Sequence, residues 1–170
     1  MRFLSYIASS LLFGATFAID RLPLGPQALD PNAATPPGVA YLYSANITVG
    51  LSVDVGAIPA GNVTVIPIIG GALIGPKVAG KILAIGADWG VQTAQGMYYS
   101  DMRAQIRTMD NANIYVQMSG LMQGNNGLIY VRTTFQTGSK DYWWMNYAFA
   151  FGTMRPSGTG YVVDMWHLTY

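Results

Sequence analysis

The stretch from Ile66 to Trp89, IPIIGGALIGPKVAGKILAIGADW, constrains the fold more than any other part of the chain. Glycine recurs in it at 70, 71, 75, 80 and 86, with Pro76 between, and the stretch ends in Asp88-Trp89. A helix carrying glycine at that density would lose about 1 kcal/mol against alanine at each one. Short apolar strands tolerate the same spacing, because glycine there marks bulges, bends and close backbone approach. The stretch therefore predicts β-structure with a Gly-rich corner at 86–89.

The rest of the chain from Val39 onward follows the same grammar. VAYLYSANITVG alternates, placing Tyr41, Tyr43, Ala45, Ile47 and Val49 on one face and Asn46 and Thr48 on the other. GNVTVIPII and KVAGKILAIG read as the next strands. MYYSDMRAQIRTM, ANIYVQMSGLM, LIYVRTTFQTG, DYWWMNYAFAFGT and GYVVDMWHLTY follow. The connectors are rich in Asn, Gly, Ser and Asp, as hairpin turns require: Asp110-Asn111, Gln123 to Gly127, Gly138-Ser139-Lys140 and Arg155 to Gly158. No segment sustains an apolar period of about 3.6. The expectation is an all-β domain over 39–170: a single antiparallel β-barrel of about eight to nine strands, closed so that no edge is exposed, with an internal pocket for one small ligand. A two-sheet sandwich is the alternative.

Composition and the chain ends set the class. With 170 residues the chain is the size of one domain. Hydrophobic residues make up 51%, charged residues 10%, and the formal net charge is +1, so no basic stripe exists to bind nucleic acid. MRFLSYIASSLLFGATFA has one basic residue, a short apolar run and small residues, which reads as a signal peptide cleaved after Ala18. Its apolar part is too short to span a hydrocarbon core of roughly 30 Å, so no integral membrane span is expected after cleavage. Residues 19–38 carry five prolines and read as an extended N-terminal arm. Sequons at Asn46 and Asn62 then mark glycosylation sites on a chain that is secreted or held in the endoplasmic reticulum lumen. The chain has no cysteine and a single histidine, His167. No catalytic thiol is available, no metal site is expected, and a secreted chain of this kind depends on core packing for stability.

An ordered series of short elements resembles a known family. It runs Ile66-Pro67-Ile68, Gly70-Gly71, Gly75-Pro76, Gly80 and Gly86-Ala87-Asp88-Trp89. It continues through Asp101-Met102-Arg103, Asp110 to Val116, Gly120, Tyr130 to Phe135 and Tyr142 to Asn146. The series is similar to that of the small β-barrel proteins grouped as DUF3237 or UPF0311, over roughly residues 39 to 168. Asn111 stands where the family tends to a second acid and Asn113 where it tends to a glycine-like turn position, so a carboxylate pair in that hairpin is lost here. The resemblance implies a barrel with a pocket and no particular reaction.

The chemistry-bearing candidates are few. Asp88 beside Trp89 is a carboxyl in apolar company, which raises its pKa and suits a general acid or base; a turn-capping Asp is the plain alternative. Asp101, Arg103, Gln105 and Arg107 share one strand face. If that face lines the barrel, Asp101 and Arg103 form a charged floor that grips a carbonyl or phenolate; if it faces water they are an ordinary ion pair. Trp89, Tyr115, Tyr130, Trp144 and Asn146 supply aromatic faces and one amide, the pattern of a pocket for a flat ligand, or else simply fill a core. His167 is a further base candidate. The leading expectation is a cofactor-independent cyclase or isomerase acting on a hydrophobic polyketide or terpenoid intermediate. Asp88, Asp101 and Arg103 are its catalytic residues. A non-catalytic carrier of a small hydrophobic molecule and a cell-surface structural protein are the alternatives, and the reading allows a homodimer.

Overall fold

Antiparallel pairing closes on itself around the described strands. The computed structural model describes residues 35–124 and 126–170; the expected signal peptide and residues 19–34 of the expected arm lie outside them. The elements are β1 (Gly38–Val49), β2 (Val53–Ile58), β3 (Gly61–Ile74), β4 (Ala79–Gln92), β5 (Tyr98–Thr108), β6 (Asn113–Gln123) and β7 (Leu128–Gln136). A 3-10 turn (Trp143–Tyr147), β8 (Ala150–Ser157) and β9 (Gly160–Thr169) complete them. The sheet order is β1-β9-β8-β7-β6-β5-β4-β3-β2, and β1 also pairs with β3. Eight strands thus close into a barrel, and β2 is an extra strand on the outer half of β3. That closure selects the barrel over the sandwich, and β2 lies outside the closed ring with one edge unpaired among the described residues.

The Gly-rich stretch becomes the two longest strands. At the β1–β3 seam, Gly71 has φ +146, and a Cβ there would sit 2.2 Å from the carbonyl oxygen of Asn46. Only a residue without a side chain lets the two strands close. The registers of β3 with β4 and of β4 with β5 both slip, between Pro67 and Gly71 and between Ile82 and Gly86, which bends the wall sharply. Residues 86–89, expected as a corner, therefore continue β4 beyond a bulge.

Alternate residues fill the interior. Ile106, Ala104 and Met102 on β5 meet Ile114, Val116 and Met118 on β6, and Met154 and Met165 come in from β8 and β9. The filled middle leaves a void of about 10 Å³ lined by apolar side chains, including Tyr43, Leu73, Ile106 and Val163. One end is plugged by the 3-10 turn, whose Met145 is fully buried. Tyr41, expected to share a face with Tyr43, is exposed: β1 bulges between Tyr41 and Tyr43, so Leu42 and Tyr43 are both buried. Asn46 and Asn62 are exposed. Among the described residues no helix is long and apolar enough to cross a membrane.

Candidate functional site

The end of the barrel opposite the 3-10 turn contains its one fully buried acid among the described residues. Asp88 points inward from β4, directly opposite Met102 on β5 and Ile66 on β3, and has no solvent exposure. Three donors hold its carboxylate. The Tyr98 hydroxyl donates to Oδ2 at 3.0 Å, the Ser100 hydroxyl to the same oxygen at 3.0 Å, and the Asp101 backbone N–H to Oδ1 at 2.9 Å. Burial pushes the carboxyl above its ordinary range and outweighs these hydrogen bonds, which favour the charged form; the neighbouring Asp101 charge adds to the rise.

Period two explains the assembly. Tyr98, Ser100 and Met102 share the inner face of β5, and Tyr161 faces inward from β9 opposite Ile47. Tyr98 is half-buried and its phenol is pushed up, first by burial and then by the Asp88 charge. Tyr161 is pushed up for the same two reasons. Val49 and Met122 are likewise half-buried against the core. The result is a half-buried pair of phenols, Tyr98 and Tyr161, near one fully buried carboxyl, with the Tyr98 hydroxyl hydrogen-bonded to it.

The other residues expected to act are placed differently. Asp101 and Arg103 point outward from β5 as a half-exposed ion pair at 2.8 Å, with the Arg103 guanidinium 5.1 Å from the centre of the Trp89 ring. The charged floor therefore does not form inside the barrel, because the inner face of β5 is the Ser100, Met102, Ala104 set. Tyr115 and Tyr130 also face outward, the latter 57% exposed. Trp144 and Asn146 lie in the 3-10 turn, not on a strand. The Asn146 side chain accepts from the Thr137 N–H at 2.9 Å and donates to the carbonyls of Thr137 and Trp143, so its amide is spent holding the loop. Trp144 stacks 5.6 Å from His167 at the plugged end. His167 is buried with its Nε2 unpartnered, as is the Thr133 hydroxyl. Asp88 and His167 sit at opposite ends of the barrel interior. Among the described residues no three acids or histidines cluster as metal ligands.

Sequence reasoning missed Tyr98, Ser100 and Tyr161. The signal was the inner-face alternation of β5 itself: once Met102 is inside, Ser100 and Tyr98 must be too.

Comparison with known proteins agrees with this frame. Residues 37–168 match the sequence profile of a family described as a protein of unknown function, DUF3237. A hydroalkoxylation enzyme of Penicillium herquei is 32% identical over 119 residues, which is 70% of this chain and 75% of that protein. A UPF0311 protein of Rhodopseudomonas palustris is 26% identical over 141 residues, 74% of this chain and 92% of its own. The crystal structure of a β-barrel-like protein from Acinetobacter baumannii superposes with a TM-score of 0.74 at 26% identity, covering 79% of this chain and 99% of that one. With a profile match over most of its length, a relative above 30% identity and a shared barrel, the chain belongs to the DUF3237 family.

Proposed function

We propose that this barrel is a cofactor-independent cyclase or isomerase of secondary metabolism, and that Asp88, acting through Tyr98, moves the proton. The observation that carries it is the carboxyl: it is fully buried, its pKa is raised, and it is joined by one hydrogen bond to a phenol at the rim. Raised carboxyls of this kind suit general acid work near neutral pH. A hydroalkoxylation enzyme among the relatives supports an intramolecular addition of a hydroxyl across a carbon–carbon double bond. In that step the Tyr98 hydroxyl gives its proton to the alkene carbon while the Asp88 proton passes to Tyr98. The substrate oxygen closes the C–O bond and its proton returns to Asp88 by way of Tyr98, so the sum is an isomerisation with no redox partner. Tyr161, Met122 and Val49 hold the apolar substrate over the relay.

The secretory route belongs to the same proposal, and the exposure of the sequon residues Asn46 and Asn62 supports it. The test is an extract from a strain lacking this gene, incubated with the purified full chain. The accumulated intermediate is expected to be converted, and Tyr98→Phe and Asp88→Asn to abolish conversion. An extract that yields a bound compound but no product assigns the barrel to the carrier class.

A further inference from the structure

β3 outruns the barrel. Its pairing with β1 ends at Ile68, yet residues 61 to 66 continue, flanked by β2 on one side and β4 on the other. This overhang prolongs one wall of the rim beyond the Asp88 end. Directly opposed residues of antiparallel strands share a face. Asp54 opposes Thr64, which opposes Gly90; Asn62 opposes Gln92, which opposes Tyr98. The face that carries Tyr98 therefore also carries Asp54, Asn62, Thr64 and Gln92. Val49 at the end of β1, Met122 near the end of β6 and Tyr161 near the start of β9 are half-buried against the core.

The tip of this overhang is hollow. A cleft of about 540 Å³ lies between the β2–β3 turn and the β4–β5 turn, with Asn62, Gln92 and Gln95 among its lining residues and Ile58 and Pro59 supplying apolar wall. The cleft is open to solvent, so it would meet one edge of a ligand and not enclose it, and a few convergent amides beside apolar surface are what orient such an edge. The Asn62 amide donates to Asp54 Oδ1 at 3.3 Å, and the Gly56 N–H donates to the same oxygen at 3.0 Å, which ties the two strands together and steadies the wall.

We propose that the overhang is a second half of the ligand site: a hydrogen-bonding subsite that takes hydroxyl or carbonyl groups along one edge of an otherwise apolar molecule. The inference rests on reading the Asp88 rim as a small-molecule site. Its substance is a choice of substrate class, an edge-oxygenated molecule over a hydrocarbon. The geometry also ties recognition to modification, because the Asn62 nitrogen that would meet a ligand is the acceptor of the second sequon. A glycan at Asn62 and a ligand edge there exclude one another.

The experiment uses the unglycosylated full chain made in bacteria and two flat probes of one size, 2,7-dihydroxynaphthalene and naphthalene, titrated by NMR on the side-chain amide signals. The diol is expected to bind at least about tenfold more tightly, a difference near 1.4 kcal/mol, and to shift the amides of Asn62 and Gln92. Asn62→Ala and Gln92→Ala, both at exposed positions, are expected to erase that preference. Equal affinities, a preference that survives both variants, or amide signals untouched by either probe overturn the subsite. Proton transfer is read separately, by turnover in Tyr98→Phe, so a failed subsite and a failed relay give different results.

Discussion

The ring of Tyr98 lies where a side chain on residue 90 would have to be: a Cβ built on Gly90 falls 1.9 Å from the Tyr98 hydroxyl oxygen. The glycine in Asp88-Trp89-Gly90 is thus the reason the phenol can cross β4 and reach the carboxyl. Since a phenol at the end of a side chain can swing away, Gly90→Ala is expected to displace Tyr98 without unfolding the barrel. A displacement of this size in a positioning group costs about 10²-fold in rate. Thermal unfolding followed by circular dichroism, beside turnover of the accumulated intermediate, checks both halves: little change in Tm, large loss of rate.

The buried carboxyl makes a prediction about pH. Asp88 has a folded pKa above its unfolded one, so the folded state holds more protons between the two values. The stability Asp88 contributes is full below the unfolded pKa and is lost as pH rises through the folded one. Asp88→Asn removes this term. The stability of the wild type minus that of Asp88→Asn is therefore expected to fall as pH rises from about 4 toward neutrality, measured by urea unfolding at a series of pH values. Asp164 runs the opposite way, held low by the Ser44 hydroxyl and by Arg155 at 2.6 Å, and it cancels in the difference.

Removing a donor sharpens the same point. Ser100 is the strongest of the groups that hold the Asp88 pKa down. Ser100→Ala leaves the carboxyl buried with one donor fewer, so its pKa is expected to rise further. The limb of the kcat/KM profile that reports Asp88 should move to higher pH while the maximum rate changes little. An unmoved limb would mean that Asp88 is not the titrating group.

The fold was legible because it rests on local patterns: the strand alternation, the hairpin residues, and glycines whose density excludes helix. β2 escaped notice because VDVGAI is short and its bulge spoils the alternation between Asp54 and Gly56. The site was half legible. Asp88 stands out as an acid in apolar company, but which face of β5 turns inward depends on pairing with β4 across the register slip between Ile82 and Gly86, which no local pattern encodes. Asp101 and Arg103 were drawn into the site by charge alone. Trp144 and Asn146 were placed on a strand because DYWWMNY has strand-like aromatics, whereas the chain needs a compact turn there to cover the barrel end.

That outward placement is itself testable. Asp101 and Arg103 are partly solvated, and exposed ion pairs of this kind are worth about 0.2–1 kcal/mol. Arg103→Ala also bares the Trp89 ring on which the guanidinium rests. Its expected effect is a small loss of stability, under about 1 kcal/mol, with turnover within a factor of about two of the wild type, since neither side chain reaches the interior. Asp101→Asn keeps the backbone N–H that holds Asp88 and should likewise leave turnover alone. A hundredfold loss in Arg103→Ala would return the guanidinium to the reaction.

The barrel seam gives the largest expected effect on stability. Gly71 combines φ +146, a conformation costly for any residue with a Cβ, with an approach of 2.2 Å to the Asn46 carbonyl oxygen, which is backbone and cannot swing aside. Gly71→Ala must therefore either push β1 away from β3 or twist the bend that lets the Gly-rich strands turn. Overpacking and backbone strain each cost roughly 1–3 kcal/mol, and here they add. The variant is expected to lose about 3 kcal/mol or more in urea unfolding, and its hydrogen exchange should quicken first along the β1–β3 ladder, from Ser44 to Val49. Gly70, one residue earlier with φ +152, has its nearest contact at 4.0 Å. Gly70→Ala separates the two costs, because it carries the strain without the clash and should fall between Gly71→Ala and the wild type.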